Sequence, residues 1–197
     1  MNKLFLIFIL ITSTIYCQET AQQIAERFKP ANSKIVHSVI QQNIWGNQNA
    51  IIAFYESRYL DSISTMQKYE RQYVEAYLYV LENNDYKKIL INKFEDDNVD
   101  TEIKSVFFAN ADKDLQKELI IISTVRHRLQ YLYDGTEYST LAFDDFKLGK
   151  IPLELEVLDI SEKLSGGFEG FSDADGNKKS KIKTAEDVRK KLKKLGY

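Results

Sequence analysis

The stretch Ser105-Val106-Phe107-Phe108-Ala109-Asn110-Ala111-Asp112-Lys113-Asp114-Leu115-Gln116-Lys117-Glu118-Leu119-Ile120-Ile121-Ile122 decides how this chain is read. Its two ends are β-branched, aromatic and aliphatic, side chains that fit a pleated, half-buried surface, and its centre is polar and acidic. The pattern predicts strand, loop, strand. Inside the loop, oxygen-bearing side chains recur at relative positions 1, 3, 5 and 9, as Asn110, Asp112, Asp114 and Glu118. Alternate residues of a tight loop point towards one centre, and a hard cation such as calcium takes oxygen ligands, with the backbone carbonyl of Gln116 as a further donor. Asn110, Asp112, Asp114 and Glu118 are therefore the candidate ligands of a calcium ion, set against the plainer reading of ordinary solvated turn residues.

The loop does not follow the EF-hand. Position 6, where that loop turns on a glycine, is Leu115, and position 12 is Ile121 instead of a bidentate glutamate. Over about fifteen residues it resembles the D-x-D-x-D-G-x-x-D-L loop of FG-GAP and related β-propeller repeats, in which the acidic ninth residue leads into an apolar strand. The resemblance implies calcium binding at the loop alone, since one copy does not make a propeller.

Outward from the loop, residues 50–55, 73–81 and 86–94 read as strands, the last two joined into a hairpin by Asn83-Asn84-Asp85 and expected to pair with the loop's own strands. Residues 34–45 lean towards strand. Residues 59–70 read as a helix or long connection. A second hairpin is expected over 128–143, turning on Asp134-Gly135. Residues 19–28 carry Ala21, Ile24, Ala25 and Phe28 on one helical face before Pro30. Beyond Pro152 a helix is expected over 153–164, stopped by Gly166-Gly167. A short strand at 168–171 would then pair with 180–183 across Asp175-Gly176. The chain ends in a helix with Thr184 as N-cap, Asp187 in the capping-box position, Val188, Leu192 and Leu195 as its apolar stripe, and Gly196 as C-cap. The fold class expected is α+β: an antiparallel sheet of five to seven strands with helices at the N- and C-terminal ends. Residues 34–146 form its β-rich part, and 151–197 a helical and basic part.

The N-terminus speaks to compartment. Lys3, the apolar run 4–11, the small polar residues 12–14 and Cys17-Gln18 form a secretory signal pattern. The apolar run is well short of the roughly 20 residues of a spanning helix. A signal peptide over 1–17 and a mature domain over 18–197 are expected, periplasmic or secreted, with no membrane span. A lipid anchor on Cys17 is the minority alternative, because Tyr16 is large where such signals carry a small residue. Cleavage before Gln18 removes the sole cysteine, and with it both disulfides and a thiol nucleophile. Signal and body together resemble small exported bacterial proteins, a likeness that implies no activity.

Composition excludes further classes. The chain is 44% hydrophobic and 12% aromatic, with two prolines and eight glycines, which suits one packed domain without a flexible linker. A net charge of -2 gives no global attraction for nucleic acid, and none is expected as a partner. From Lys178 onward there are nine Lys or Arg against Glu186 and Asp187, so the basic charge sits at one end. Lysines late in a helix answer its dipole.

No nucleophile, base and orienter assemble from motifs. Of two histidines, His37 and His127, only His127 is flanked by arginines, Arg126 and Arg128, so a small hydrolase would need it. Strand alternation puts both arginines on a wet face, the plainer reading. Glu95, Asp96, Asp97 and Asp100 would add charge to a cation site if they folded beside it. Asp173-Ala174-Asp175-Gly176-Asn177 reads as a hairpin turn. Tyr73, Tyr77, Tyr79, Tyr131 and Tyr133 at alternating positions would stack on a carbohydrate or peptide, or simply pack a sheet. The expectation is a non-catalytic binding or structural module of the cell envelope, its partner a cell-envelope glycan or another exported protein.

Overall fold

Residues 51–55, Ile-Ile-Ala-Phe-Tyr, are buried at every position, and so are residues 119–122, Leu-Ile-Ile-Ile. A strand buried on both faces has to lie between two layers. The computed structural model describes residues 19–64, 67–96, 100–147 and 149–197, and it gives each run its own antiparallel sheet.

The first sheet holds β1 (Ser33–Ile35), β2 (Ile40–Ile44), β3 (Asn47–Ser64), β4 (Gln67–Glu82) and β5 (Asp85–Glu95). Its order is β1-β3-β4-β5, with β2 also paired to β3. The second sheet holds β6 (Thr101–Ala109), β7 (Glu118–Leu129), β8 (Tyr133–Phe143), β9 (Gly167–Ser172) and β10 (Gly176–Lys178), in the order β10-β9-β8-β7-β6. Three short helices, α1 (Ala21–Arg27), α2 (Ser161–Leu164) and α3 (Ala185–Leu195), complete the described elements. None is long and apolar enough to cross a membrane.

Alternation along each buried run sorts its side chains into layers. Ile52 and Phe54 meet Leu78, Ile89, Leu119, Ile121 and Phe143 between the sheets. Ile51, Ala53 and Tyr55 face α1 through Ile24 and Ala25. Ile120 and Ile122 face α2 and α3 through Leu164, Val188 and Leu192. Each fully buried aliphatic side chain contributes about 1.5–3 kcal/mol, so these stripes dominate the choice of layers. A bulge in the β4–β5 ladder at Ala76/Tyr77 switches the phase of β5. It puts Phe94 on the same inner face as Ile89 and Ile91. Where the chain passes between sheets, the Gln72 amide takes the Thr101 N–H at 2.8 Å and donates to the Thr101 carbonyl at 3.2 Å, both in buried surroundings.

Antiparallel pairing and the terminal helices match expectation, but the molecule is mostly β and divides its strands between two sheets. The hairpin β4–β5 therefore does not pair with the strands of the acidic loop; β6 pairs with β7 instead. Residues 59–64 and 67–70 are the distal parts of β3 and β4, which pair antiparallel, with Tyr59 opposite Arg71 and Leu60 opposite Glu70. Residues 34–45 split into β1 and β2. Asp134 and Gly135 do not turn: they lie within β8 opposite Arg128 and His127. The reversal falls at 130–132, where Tyr131 takes a φ of 66°. Glycine at 135 is required because a Cβ there would collide with the Glu169 backbone carbonyl as well as with the Phe168 ring. Residues 153–158 are extended, and only 161–164 are helical. The Leu155 N–H donates to the Leu90 carbonyl and Leu90 N–H to the Leu153 carbonyl, both at 2.9 Å, so pairing at the edge of the first sheet consumes the groups a helix would have used. Strand β9 pairs with β10 at 176–178 rather than with 180–183. The signal segment 1–17 lies outside the described residues.

Candidate metal centre

The acidic loop joins β6 to β7 at one end of the second sheet and is built from its own side chains. Asp112 Oδ1 accepts the Asp114 N–H at 2.8 Å and Asp114 Oδ1 accepts the Gln116 N–H at 2.6 Å. These are two successive turns of the kind Asp makes with backbone two residues on. The Asn110 side-chain amide closes the ring by donating to the Asp114 carbonyl at 3.2 Å. Leu115, where a glycine was wanted, does not take a positive φ. The loop therefore turns without the left-handed residue that a glycine supplies in an EF-hand.

Glu118 begins β7, opposite Ala109 on β6. It is 0% exposed, an unusual place for a carboxylate. One oxygen, Oε2, accepts the Ala111 N–H. The other, Oε1, is buried without a hydrogen-bond partner. Ligand atoms of Asp112, Asp114 and Glu118 lie within 4.8 Å of one another. Burial pushes the Glu118 carboxyl above its ordinary value, and Asp112 and Asp114 add to the rise, against the lowering effects of the Ala111 N–H and of Glu118's own N–H. Such a set disfavours its own charge, a cost that a hard cation removes and an oxygen-only donor set suits.

Two acids that no spacing rule connected to the loop are placed near it by the strand register, outside the close group of Asp112, Asp114 and Glu118. Asp144 and Asp145 follow β8, and both are raised by burial and by the charges of Asp112 and Asp114. The register makes them findable: Leu119 pairs with Phe143, which brings the next residue, Asp144, beside Glu118. The Trp45 indole N–H donates to the Lys117 carbonyl at 2.8 Å and ties the first sheet to the loop. Trp45 and Gly46 form the β2–β3 turn with φ of 49° and 75°. A bulky residue in that region costs on the order of 1 kcal/mol, offset here by contacts with Phe108 and Phe146.

Of the other sequence candidates, three of the four expected ligands converge, and Asn110 braces the loop. Glu95 and Asp100 are elsewhere: Glu95 meets Lys93 and Tyr59, and Asp100 meets Arg58. Asp97 lies outside the described residues. Asp175 binds Lys178 at 2.6 Å in the β9–β10 turn. Arg126 and Arg128 are exposed, and Arg126 pairs with Asp134. His127 Nε2 lies 3.1 Å from Glu137 Oε2. It lines a cavity of about 330 Å³ with Tyr133, Phe168, Ser172, Asp175 and Lys178. No hydrogen bond joins His127 to Ser172 among the described residues. Tyr73, Tyr77 and Tyr79 share the outer face of β4, but Tyr79 is buried and Tyr73 and Tyr77 are half-buried under Lys93 and Lys88, while Tyr131 is exposed in the β7–β8 turn of the other sheet. No protein-family model, curated protein or solved structure matched the chain.

Proposed function

We propose that this is a non-catalytic binding or structural module of the cell envelope, exported through its N-terminal signal and stabilised by a hard divalent cation, calcium by preference. The cation's protein ligands are Asp112, Asp114 and Glu118. The single observation that supports the reading most is the Glu118 Oε1, buried and without a partner beside two further carboxylates. A buried carboxylate oxygen left unpaired costs about 1–3 kcal/mol, and a cation is the partner its neighbours' charges favour. Isothermal titration of calcium into the purified chain tests it: one site with micromolar or tighter affinity supports the reading, and no heat in low-salt buffer removes it. N-terminal sequencing of the native protein tests export, with Gln18 as the expected first residue and an intact Met1 or a lipid on Cys17 as the contrary results. The partner remains one of two chemistries, a cell-envelope glycan or another exported protein.

The His127–Glu137 contact at the edge of a cavity supports a second reading, a small hydrolase. Screening against ester, glycoside, phosphate and peptide substrates separates the two. No turnover is expected, and turnover abolished by His127→Ala would replace the module with an enzyme.

A further inference from the structure

We propose that the cation site is completed across the sheet by Asp144 and Asp145, so that one ion clasps the β6–β7 loop to the segment leaving β8. This deepens the reading above and rests on it.

Three carboxylates leave much of a calcium shell of six to eight oxygens to be filled. The register fills it from one direction: Glu118 lies between Ala109 on β6 and the position just beyond Phe143 on β8. Asp144 occupies that position, half-buried, with its N–H held by the Glu156 carbonyl at 2.9 Å. Its Oδ1 accepts the Asp145 N–H at 2.9 Å, so the two acids are joined in one local turn next to that position. The independent sign of a ligand is again the Glu118 Oε1, wholly buried and unpartnered. The lysines within the loop, Lys113 and Lys117, make no ion pair with any of these carboxylates among the described residues, and Lys147 acts only as a distant charge on Asp145. The chain thus gathers three acids in one connection and places two more on the neighbouring one, with no ion pair to these five among the described residues. An ion bridging both connections would also anchor the chain on either side of them, because Phe143, Phe146 and Leu155 pack into the core between the sheets.

The chain contains a single tryptophan, Trp45, and its indole is bonded to the loop backbone. Terbium, which takes calcium's oxygen ligands, should therefore emit on excitation of Trp45. Terbium is titrated into the mature chain 18–197 as wild type, as Asp112→Asn and as the double variant Asp144→Asn, Asp145→Asn. Luminescence lifetimes in H2O and D2O count bound water. Wild type should give sensitised emission that calcium displaces, and Asp112→Asn should lose it. The double variant should bind about tenfold more weakly or worse and hold about one more water on the ion. Its melting temperature in chelator, equal to wild type or higher, would show that the loss is in binding and not in folding; should it fail to fold, Asp144→Asn alone carries the same readouts. A double variant that binds as wild type with an unchanged water count overturns the clasp and leaves the three-carboxylate site standing. Wild type that neither sensitises terbium nor binds calcium overturns both.

Discussion

Under α1, on the outer face of the first sheet, Tyr55 and Tyr79 are as fully buried as Glu118 is at the end of the second sheet, all three at 0% exposure. The two places are completed differently. Tyr55 donates to the Ala25 carbonyl at 2.8 Å, and the Tyr79 hydroxyl lies 2.9 Å from the Tyr55 oxygen, which it can therefore serve as donor. Phe28 stacks on Tyr79 at 5.1 Å and seals the pair. Burial raises both phenols above their ordinary value, Tyr79 by far the more, so neither titrates in any physiological range. Every polar atom of that pair is answered by the chain itself, as buried polar groups generally must be. Glu118 has one oxygen answered and one not. The difference separates a group kept for the fold from one whose partner comes from outside.

The largest effect that tests this contrast is cation stabilisation. At a calcium concentration about 100 times the dissociation constant, linkage gives roughly 2.7 kcal/mol, or on the order of 5–10 °C in melting temperature for a domain of this size. Melting curves in calcium and in chelator should be separated by that amount, and Asp112→Ala with Asp114→Ala should bring them together. Coincident curves for the wild type would mean that Glu118 is simply an expensive fold residue. Next in size is Tyr55→Phe, which strips the Ala25 carbonyl of its donor and Tyr79 of its acceptor. About 2 kcal/mol of lost stability is expected from denaturant titration. The loss should be the same in calcium and in chelator; a loss that depends on calcium would show the two outer layers to be coupled through the core.

The sequence showed best what is local. Thr184 and Asp187 form a reciprocal capping box, the Gly196 φ is 92°, and the Val188 and Leu192 stripe packs on the second sheet, all features written within a few residues of each other. The same holds for the 73–94 hairpin, whose Asn83 and Asn84 take φ of 52° and 65° at the turn. What escaped depends on distant partners. The proximal part of the β3–β4 extension carries no apolar alternation to read, because charge holds it: Arg58 binds Glu56, Glu70 and Asp100 at 2.9–3.0 Å. Residues 153–158 were drawn out of a helix by the edge of the first sheet at Leu90. The acidic trio was legible from spacing within one loop. Asp144 was not, since only the β7–β8 register places it beside Glu118.

The smallest effect is the sharpest, because its sign should reverse. Glu118→Gln keeps the side chain's shape and an acceptor for the Ala111 N–H while removing the charge. The folded pKa of Glu118 is raised, chiefly by burial, above the ordinary glutamate value near 4.3. Between those two values the folded chain holds a proton that the unfolded chain has released, so wild-type stability falls as pH rises through that window. In chelator, Glu118→Gln should therefore melt above wild type at pH 7–8, by about 1 kcal/mol, and the advantage should vanish on acidification towards pH 4. The comparison is drawn between variant and wild type at each pH because Glu56, Glu95 and Asp187, held below their ordinary values, pull the whole curve the other way. With calcium saturating, the bound ion favours the ionised carboxylate, and the wild type should now be the more stable at pH 7–8. An advantage of Glu118→Gln that persists unchanged in calcium would place the ion elsewhere, and no advantage in chelator would mean that the Glu118 charge is satisfied within the chain, as the Tyr55–Tyr79 pair is.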